Sequence, residues 1–96
     1  MITNKQKSYL RSQANPLQPI FQIGKSGLTD AIIKQIEEAL EARELIKISV
    51  LQNCEQDKDE IAGILEDQAG FEIVQVIGKT IVIYKESTEK KKIVLP

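Results

Sequence analysis

Two apolar periods alternate along this chain, and that alternation restricts the fold more than any other feature of the sequence. In "AIIKQIEEALEAR", Ile32, Ile33, Ile36, Ala39 and Leu40 recur at three- and four-residue spacing, which lines one side of a helix. In "LIKISVL" the period drops to two: Ile46, Ile48 and Val50 face one way, Lys47 and Ser49 the other. The spacing predicts helices over 3–14, 30–43 and about 55–69, with strands over 20–23, 45–51, 71–77 and 80–84. Thr3 or Asn4 can cap the first helix and Thr29 the second, where Asp30 complements the positive end of the dipole. Gly70 suits a left-handed cap after the third. Helices alternating with strands call for crossover units, and "FEIVQVIGKTIVIY" ends the pattern with a hairpin around Gly78-Lys79. The expected fold is α/β, a two-layer sandwich in the order α-β-α-β-α-β-β on a four-stranded mixed sheet. "KESTEKKK" reads as solvated, and "IVLP" as a short additional edge strand.

With 96 residues the chain is long enough for one core, so residues 1–96 are expected to form a single domain. No apolar run approaches the twenty or so residues of a membrane span. "MITNKQKSYLRSQ" lacks the unbroken apolar stretch of a secretory signal. One cysteine, Cys54, cannot form an internal disulfide, which suits a reducing compartment; the expectation is a cytoplasmic chain. Histidine is absent, and with it the commonest proton-transfer group and metal ligand. The carboxylates are scattered along helix exteriors and Cys54 has no histidine to activate it. An enzyme, a metal, a cofactor and a small-molecule substrate are therefore not expected.

The net charge of −1 conceals an uneven layout. Residues 1–34 carry Lys5, Lys7, Arg11, Lys25 and Lys34 against Asp30 alone, a net +4. Residues 35–72 carry a net −8 and residues 73–96 a net +3. A polyanion responds to the field within a Debye length, about 8 Å at physiological salt, more than to the total. If the two ends of the chain meet, they make one basic face on an otherwise acidic molecule.

"IFQIGKSGLTDAII" places Gly-Lys-Ser-Gly between a strand and a helix. A nucleotide-triphosphate loop would also need a glycine five positions before the glycine of Gly-Lys, and Pro19 stands there; at Gly78-Lys79-Thr80 the position holds Ile73. Hydrolysis of a nucleoside triphosphate is therefore not expected. As Gly-x-x-Gly, residues Gly24, Lys25, Ser26 and Gly27 offer close approach to a sugar-phosphate strand, amides ahead of a helix and one mobile cation. A loop of this pattern in KH domains clamps about four nucleotides, there between two helices. The plainer alternative is a tight turn with Lys25 in solvent.

The segments "LRSQANPLQPIFQIGKSGLTDAII", "EALEARELIKISV" and "GFEIVQVIGKTIVIYK" together resemble the YhbY-like proteins, stand-alone bacterial versions of the CRM domain (chloroplast RNA splicing and ribosome maturation). "IGKSGLT", "ELIK" and "VQVIGKTIVIY" are the most specific parts, and with the first helix the likeness spans nearly the whole chain. Where many relatives carry histidines near "NPLQP" and "EARELIK", this chain has Asn15, Ala42 and Arg43. The resemblance implies an RNA-binding domain, similar in fold to the C-terminal domain of translation initiation factor three. It also implies association with ribosomal RNA in precursors of the large ribosomal subunit and a role in their assembly.

Carried onto this sequence, the family's Gly-x-x-Gly loop falls on Gly24, Lys25, Ser26 and Gly27, its basic first helix on Lys5, Lys7 and Arg11, and its Gly-Lys turn on Gly78 and Lys79. The expected contacts are phosphates held by Lys5, Lys7, Arg11 and Lys25, with Lys79 and Lys85 extending the track. Of the four aromatics, Phe21 and Phe71 are expected in the core and Tyr9 and Tyr84 are left open, so stacking on bases is poorly supported and recognition of RNA shape is the expectation. The acidic helices suggest a further contact with basic ribosomal proteins. The competing class is an acidic protein-protein adaptor that never touches RNA.

Overall fold

The computed structural model describes residues 2–52, 56–68 and 70–96, in the order α1 (Asn4–Ala14), β1 (Pro19–Ile23), α2 (Asp30–Arg43), β2 (Leu45–Val50), α3 (Lys58–Glu66), β3 (Glu72–Ile77) and β4 (Thr80–Tyr84). Cys54 lies outside the described residues, as do both ends of the helix expected over 55–69. The strands form one mixed sheet in the order β1-β2-β4-β3. β1 and β2 are parallel across the α2 crossover; β4 is antiparallel to both of its neighbours. The α/β class, element order and mixed sheet are those the two periods predicted.

Local chemistry sets the ends of the elements. In α1 the Gln6 amide donates to Thr3 Oγ1 at 3.1 Å while the Thr3 amide donates to Gln6 Oε1 at 2.9 Å, a reciprocal cap. α2 starts where Thr29 Oγ1 accepts from the Ile32 amide at 3.2 Å. α3 starts later than expected because Asp57 is its cap, accepting from the Glu60 amide at 2.9 Å. It also stops earlier: the amides of Gln68 and Phe71 turn back onto Leu65 and Gln68, and Gly70 takes φ 83. In the hairpin, Gly78 takes φ 56 at the first of two turn positions between Ile77 and Thr80, the arrangement that fits the twist of paired strands.

Both faces of the sheet are covered, unequally. α2 and α3 supply Ile36, Leu40, Ile61 and Leu65 to the larger core against Ile46, Ile48, Ile81 and Ile83. Each such fully buried side chain contributes about 1.5–3 kcal/mol. This layer is the expected sandwich. On the other face, α1 adds Leu10 and Ala14 over Leu45, Val74, Val82 and Tyr84. A bulge between Ile73 and Gln75 lets Val74 and Gln75 both face that side.

The chain after β4 corrects two expectations. "IVLP" adds no strand; Ile93 and Leu95 pack instead on the α1-side core, and Gln6 Nε2 donates to the Pro96 carbonyl at 3.2 Å. "KESTEKKK" is not simply solvated, because Ser87 is buried. Two glutamates of α2 gather this segment. Glu41, expected to point into solvent, accepts from Ser87 Oγ at 2.6 Å, from the Thr88 amide and hydroxyl at 3.1 and 3.0 Å and from the Glu89 amide at 3.2 Å. Glu44 is fully buried and accepts from the amides of Ser87 and Ile93, each at 2.8 Å, and from that of Lys92.

This clasp carries a pH dependence. The Ser87 hydroxyl, then the Thr88 amide, hold the Glu41 carboxyl at about 2 against an ordinary 4.5. For Glu44, burial pushes the value up, but the amides of Ser87, Lys92 and Ile93 outweigh it and the net shift is downward. A folded-state value below the unfolded one stabilises above the unfolded value and is lost as pH falls. The amide signals of Ser87 to Ile93 are therefore expected to keep their native shifts above about pH 4.5 and to collapse towards random-coil values between 4.5 and about 2. Release above pH 5 in an acid titration followed by NMR would contradict the clasp.

Candidate nucleic-acid interface

The Gly24–Gly27 segment closes as a β-turn, with the Gly27 amide donating to the Gly24 carbonyl at 3.0 Å. Lys25 and Ser26 occupy its exposed tip. Gly27 is buried at φ 71, and the next amide, that of Leu28, donates to Gln56 Oε1 at 2.9 Å. Two of the amides expected to face a phosphate are thus bonded within the protein, and Asp30 stands at the start of α2. What the turn presents outward is its tip.

Gln56 is the residue sequence reasoning missed. It ties the turn to the chain entering α3, and no periodicity or motif in the sequence marks it.

The base of the turn is tied to the residue after β2, since the Leu51 amide donates to the Ile23 carbonyl at 2.9 Å. β2 is tied in turn to the hairpin, since the Val50 amide donates to the Lys79 carbonyl at 2.7 Å. Parallel β1 and β2 end where antiparallel β4 begins, so the Gly24–Gly27 turn and the Gly78-Lys79 turn share one end of the sheet. A cleft between them and α3 is lined by Leu51, Gln56, Lys58, Gly78 and Lys79, and also by the carboxylates Asp57 and Glu60.

α1 reaches the same end. Arg11 and Asn15 line a second cleft with Lys47, Gln75, Ile77 and Thr80, next to the hairpin turn. Lys7 lies one helical turn before Arg11 on the same side, and Arg11 Nε donates to the Lys7 carbonyl at 3.4 Å. Lys5 stands apart, about 120° round the helix from Arg11 at 3.6 residues per turn. Lys85 follows β4 at the opposite end of the sheet. Its ammonium lies 6.0 Å from the Phe71 ring centroid and borders a cleft with Glu37, Glu38 and Glu41.

The structure therefore places Lys25, Ser26 and Lys79 at one end of the sheet and Arg11, with Lys47, in the cleft beside the hairpin. Lys7 lies beside Arg11 along α1, and Lys5 and Lys85 lie apart. Among the described residues no carboxylate lies within ion-pair distance of Lys7, Arg11, Lys25 or Lys79; the ion pair present joins Lys91 to Glu86 at 3.4 Å. Residues 2–29 contain no acid at all. Of the four aromatics, Phe71 and Tyr84 are buried, Phe21 packs against the larger core, and Tyr9 is half-buried on α1. No helix among the described residues is long and apolar enough to cross a membrane.

A small mixed sheet with a glycine-framed basic turn, a Gly-Lys hairpin and a basic helix at one end defines a domain suited to a polyanion. The profile of the CRS1 / YhbY (CRM) domain matches residues 2–85, and the chain belongs to that family. It is 62% identical over 96 residues, the full length of both, to a Bacillus subtilis protein named "Probable RNA-binding protein YqeI". It is 36% identical over 95 residues to a Haemophilus influenzae protein named "RNA-binding protein", covering 99% of this chain and 95% of that one. Among solved structures it matches the solution structure of a Staphylococcus aureus candidate RNA-binding protein at a TM-score of 0.82, with 57% identity and full coverage of both chains.

Proposed function

We propose that this chain is a non-catalytic RNA-binding module that acts in the cytoplasm on ribosomal RNA within precursors of the large ribosomal subunit and assists their assembly. Lys25 and Ser26 at the turn tip, with Lys79, Arg11 and Lys7, take the phosphates, while Gly24 and Gly27 shape the turn. The observation that carries the reading is the placement of Lys25, Lys79 and Arg11 towards one end of the sheet. None of them lies within ion-pair distance of a carboxylate among the described residues, although Asp57 and Glu60 line the same cleft as Lys79. The names of its relatives support the choice of RNA.

Phosphate contacts release counterions, so affinity should fall linearly with salt on logarithmic axes. Lys25→Glu is expected to lower affinity for RNA about tenfold at physiological salt and to reduce the slope of that plot by about 0.7, one single-strand phosphate contact. The same reversal at Lys85 should change affinity less than about twofold, because the length of β4, about 17 Å, exceeds the Debye length. Filter binding across a salt series measures both; equal losses at the two positions would dissolve the proposed interface. Sedimentation of a lysate tests the ribosomal part, with the protein expected in the fraction of incomplete large subunits.

A second contact is favoured by the exposed carboxylates of α2 and α3, among them Glu37, Glu38, Asp59 and Glu66, on the side away from α1. They would repel RNA from that side and suit a basic ribosomal protein. If RNA binding were undetectable at low salt while such a partner bound, the adaptor reading would replace the RNA one.

A further inference from the structure

α1 roofs only half of its face of the sheet. Leu45, Val74 and Tyr84 are buried beneath it. Beyond them, the strand register aligns Gln22 with Ser49, Ser49 with Thr80 and Thr80 with Ile77, one row across all four strands. This row is open: Gln22 is exposed, Ser49 and Thr80 are half-buried, and Ile77 is 56% exposed. The next row toward α1 holds Lys47 and Gln75 on either side of Val82.

The side chains of Gln22, Ser49, Gln75 and Thr80 make no hydrogen bonds among the described residues. Their donors and acceptors are free for a ligand. The charges nearest to them on this face are basic, while Asp57 and Glu60 on the α3 side share a cleft with Lys79. Lys47 and Arg11 line the same cleft as Gln75 and Thr80, and Lys79 and Lys25 close the end. α1, β1, β2 and β4 contain no acid; the one carboxylate on the strands, Glu72, pairs across from Tyr84 at the roofed end.

We propose that this open half of the sheet seats the bases of a single-stranded RNA segment whose phosphates run along the Arg11, Lys79 and Lys25 rim. The inference rests on the RNA-binding reading and adds to it where the bases go. Four strands at about 4.8 Å spacing give a shelf about 14 Å wide, comparable to the four-stranded sheets on which other RNA-binding domains place two or three bases. Those sheets use aromatic rings; this shelf has none. Its chemistry is amide and hydroxyl, so it would read base edges. Glutamine can donate and accept together with one base edge, and hydroxyls can do either. Single strands expose those edges, whereas an A-form duplex hides them in a deep, narrow major groove.

The test compares a mixed-sequence oligoribonucleotide with an abasic oligomer of equal length, which carries the same backbone charge. The full chain is expected to bind the base-bearing strand about tenfold tighter. The variant Gln22→Ala, Ser49→Ala, Thr80→Val, checked for a native melt, should lose that preference and keep its affinity for the abasic strand. Gln22→Ala alone, at an exposed position of an edge strand, gives the same comparison free of any folding defect, with about a threefold loss expected. Equal binding of both oligomers by the native chain would overturn the base shelf while leaving backbone binding in place. A variant that keeps the full preference would also overturn it. Binding of neither oligomer would remove the RNA reading itself, and the shelf with it.

Discussion

Glu44→Ala is expected to lower the stability of the fold by about 3 kcal/mol and the melting temperature by roughly 15 °C. Glu44 ends α2 at φ 66, the one non-glycine residue with positive φ among those described. Its carbonyl accepts from the Lys85 amide at 2.9 Å, and its carboxylate holds the amides of Ser87, Lys92 and Ile93. Charge-assisted bonds of this kind contribute about 1.5–3 kcal/mol each when intact. The loss is smaller than their sum because the segment can peel away and rehydrate. Two further variants separate the causes. Glu44→Gln keeps the shape and one acceptor oxygen but loses the charge, and should cost about half as much. Glu44→Gly loses every side-chain bond but relieves the left-handed backbone, and should be about 1 kcal/mol less damaging than alanine. If alanine and glycine proved equally harmful and glutamine harmless, neither the charge nor the backbone strain would matter. Thermal and urea melts decide this.

The same substitution should reach the proposed RNA interface indirectly. The segment held by Glu44 delivers Ile93 and Leu95 to the core beneath α1 and ends against Gln6. That braces one flank of α1, while Lys7 and Arg11 project from the other. A loosened segment therefore leaves Arg11 less well placed.

How legible each part was in the sequence depends on the range of the interaction that made it. The span Asp30–Arg43 could be read outright, because a threonine cap and the Ile36–Leu40 spacing are local signals. The hairpin was equally plain: two residues, one of them glycine, separate two alternating runs. Glu41 and Glu44 could not be told from Glu37 and Glu38. Their partners lie 43 to 49 positions away, and no local pattern announces them. Ser87 and Thr88 read as solvated for the same reason, although both hydroxyls bond Glu41 and Ser87 is buried.

Within the site, two separations were within reach. Helical spacing places Lys7 and Arg11 together and Lys5 apart. Lys79 and Lys85 bracket a single strand, so they cannot occupy one end of a sheet. Gln56 left no trace, because a loop side chain that catches a distant amide obeys no period. Net charge was the opposite case, because the uneven layout behind the total of −1 could be read from the sequence. The acids belong mainly to α2, α3 and the segments beside them, and the basic residues of α1 lie across the sheet from those helices.

The alanine substitution at Gly27 is expected to weaken RNA binding more than tenfold and to destabilise the protein by about 2–3 kcal/mol. Two effects combine. At φ 71 any Cβ meets the following carbonyl, a strain of about 1–2 kcal/mol. That Cβ would also stand 2.3 Å from Gln56 Oε1, so Gln56 must swing out and release the Leu28 amide, a further loss of about 1 kcal/mol. Gly24 is a built-in comparison. Its φ is not positive and the nearest atom to an added Cβ is 4.0 Å away, so Gly24→Ala should change stability by less than about 0.5 kcal/mol. A double-mutant cycle with Gln56→Ala isolates the second effect: in that background Gly27→Ala should cost only the backbone strain. Strict additivity in urea denaturation would mean that Gln56 does not hold the turn. Coupling there, together with loss of affinity when Gln56 alone is truncated and Lys25 is untouched, would show that RNA binding depends on where the turn is fixed as well as on its charge.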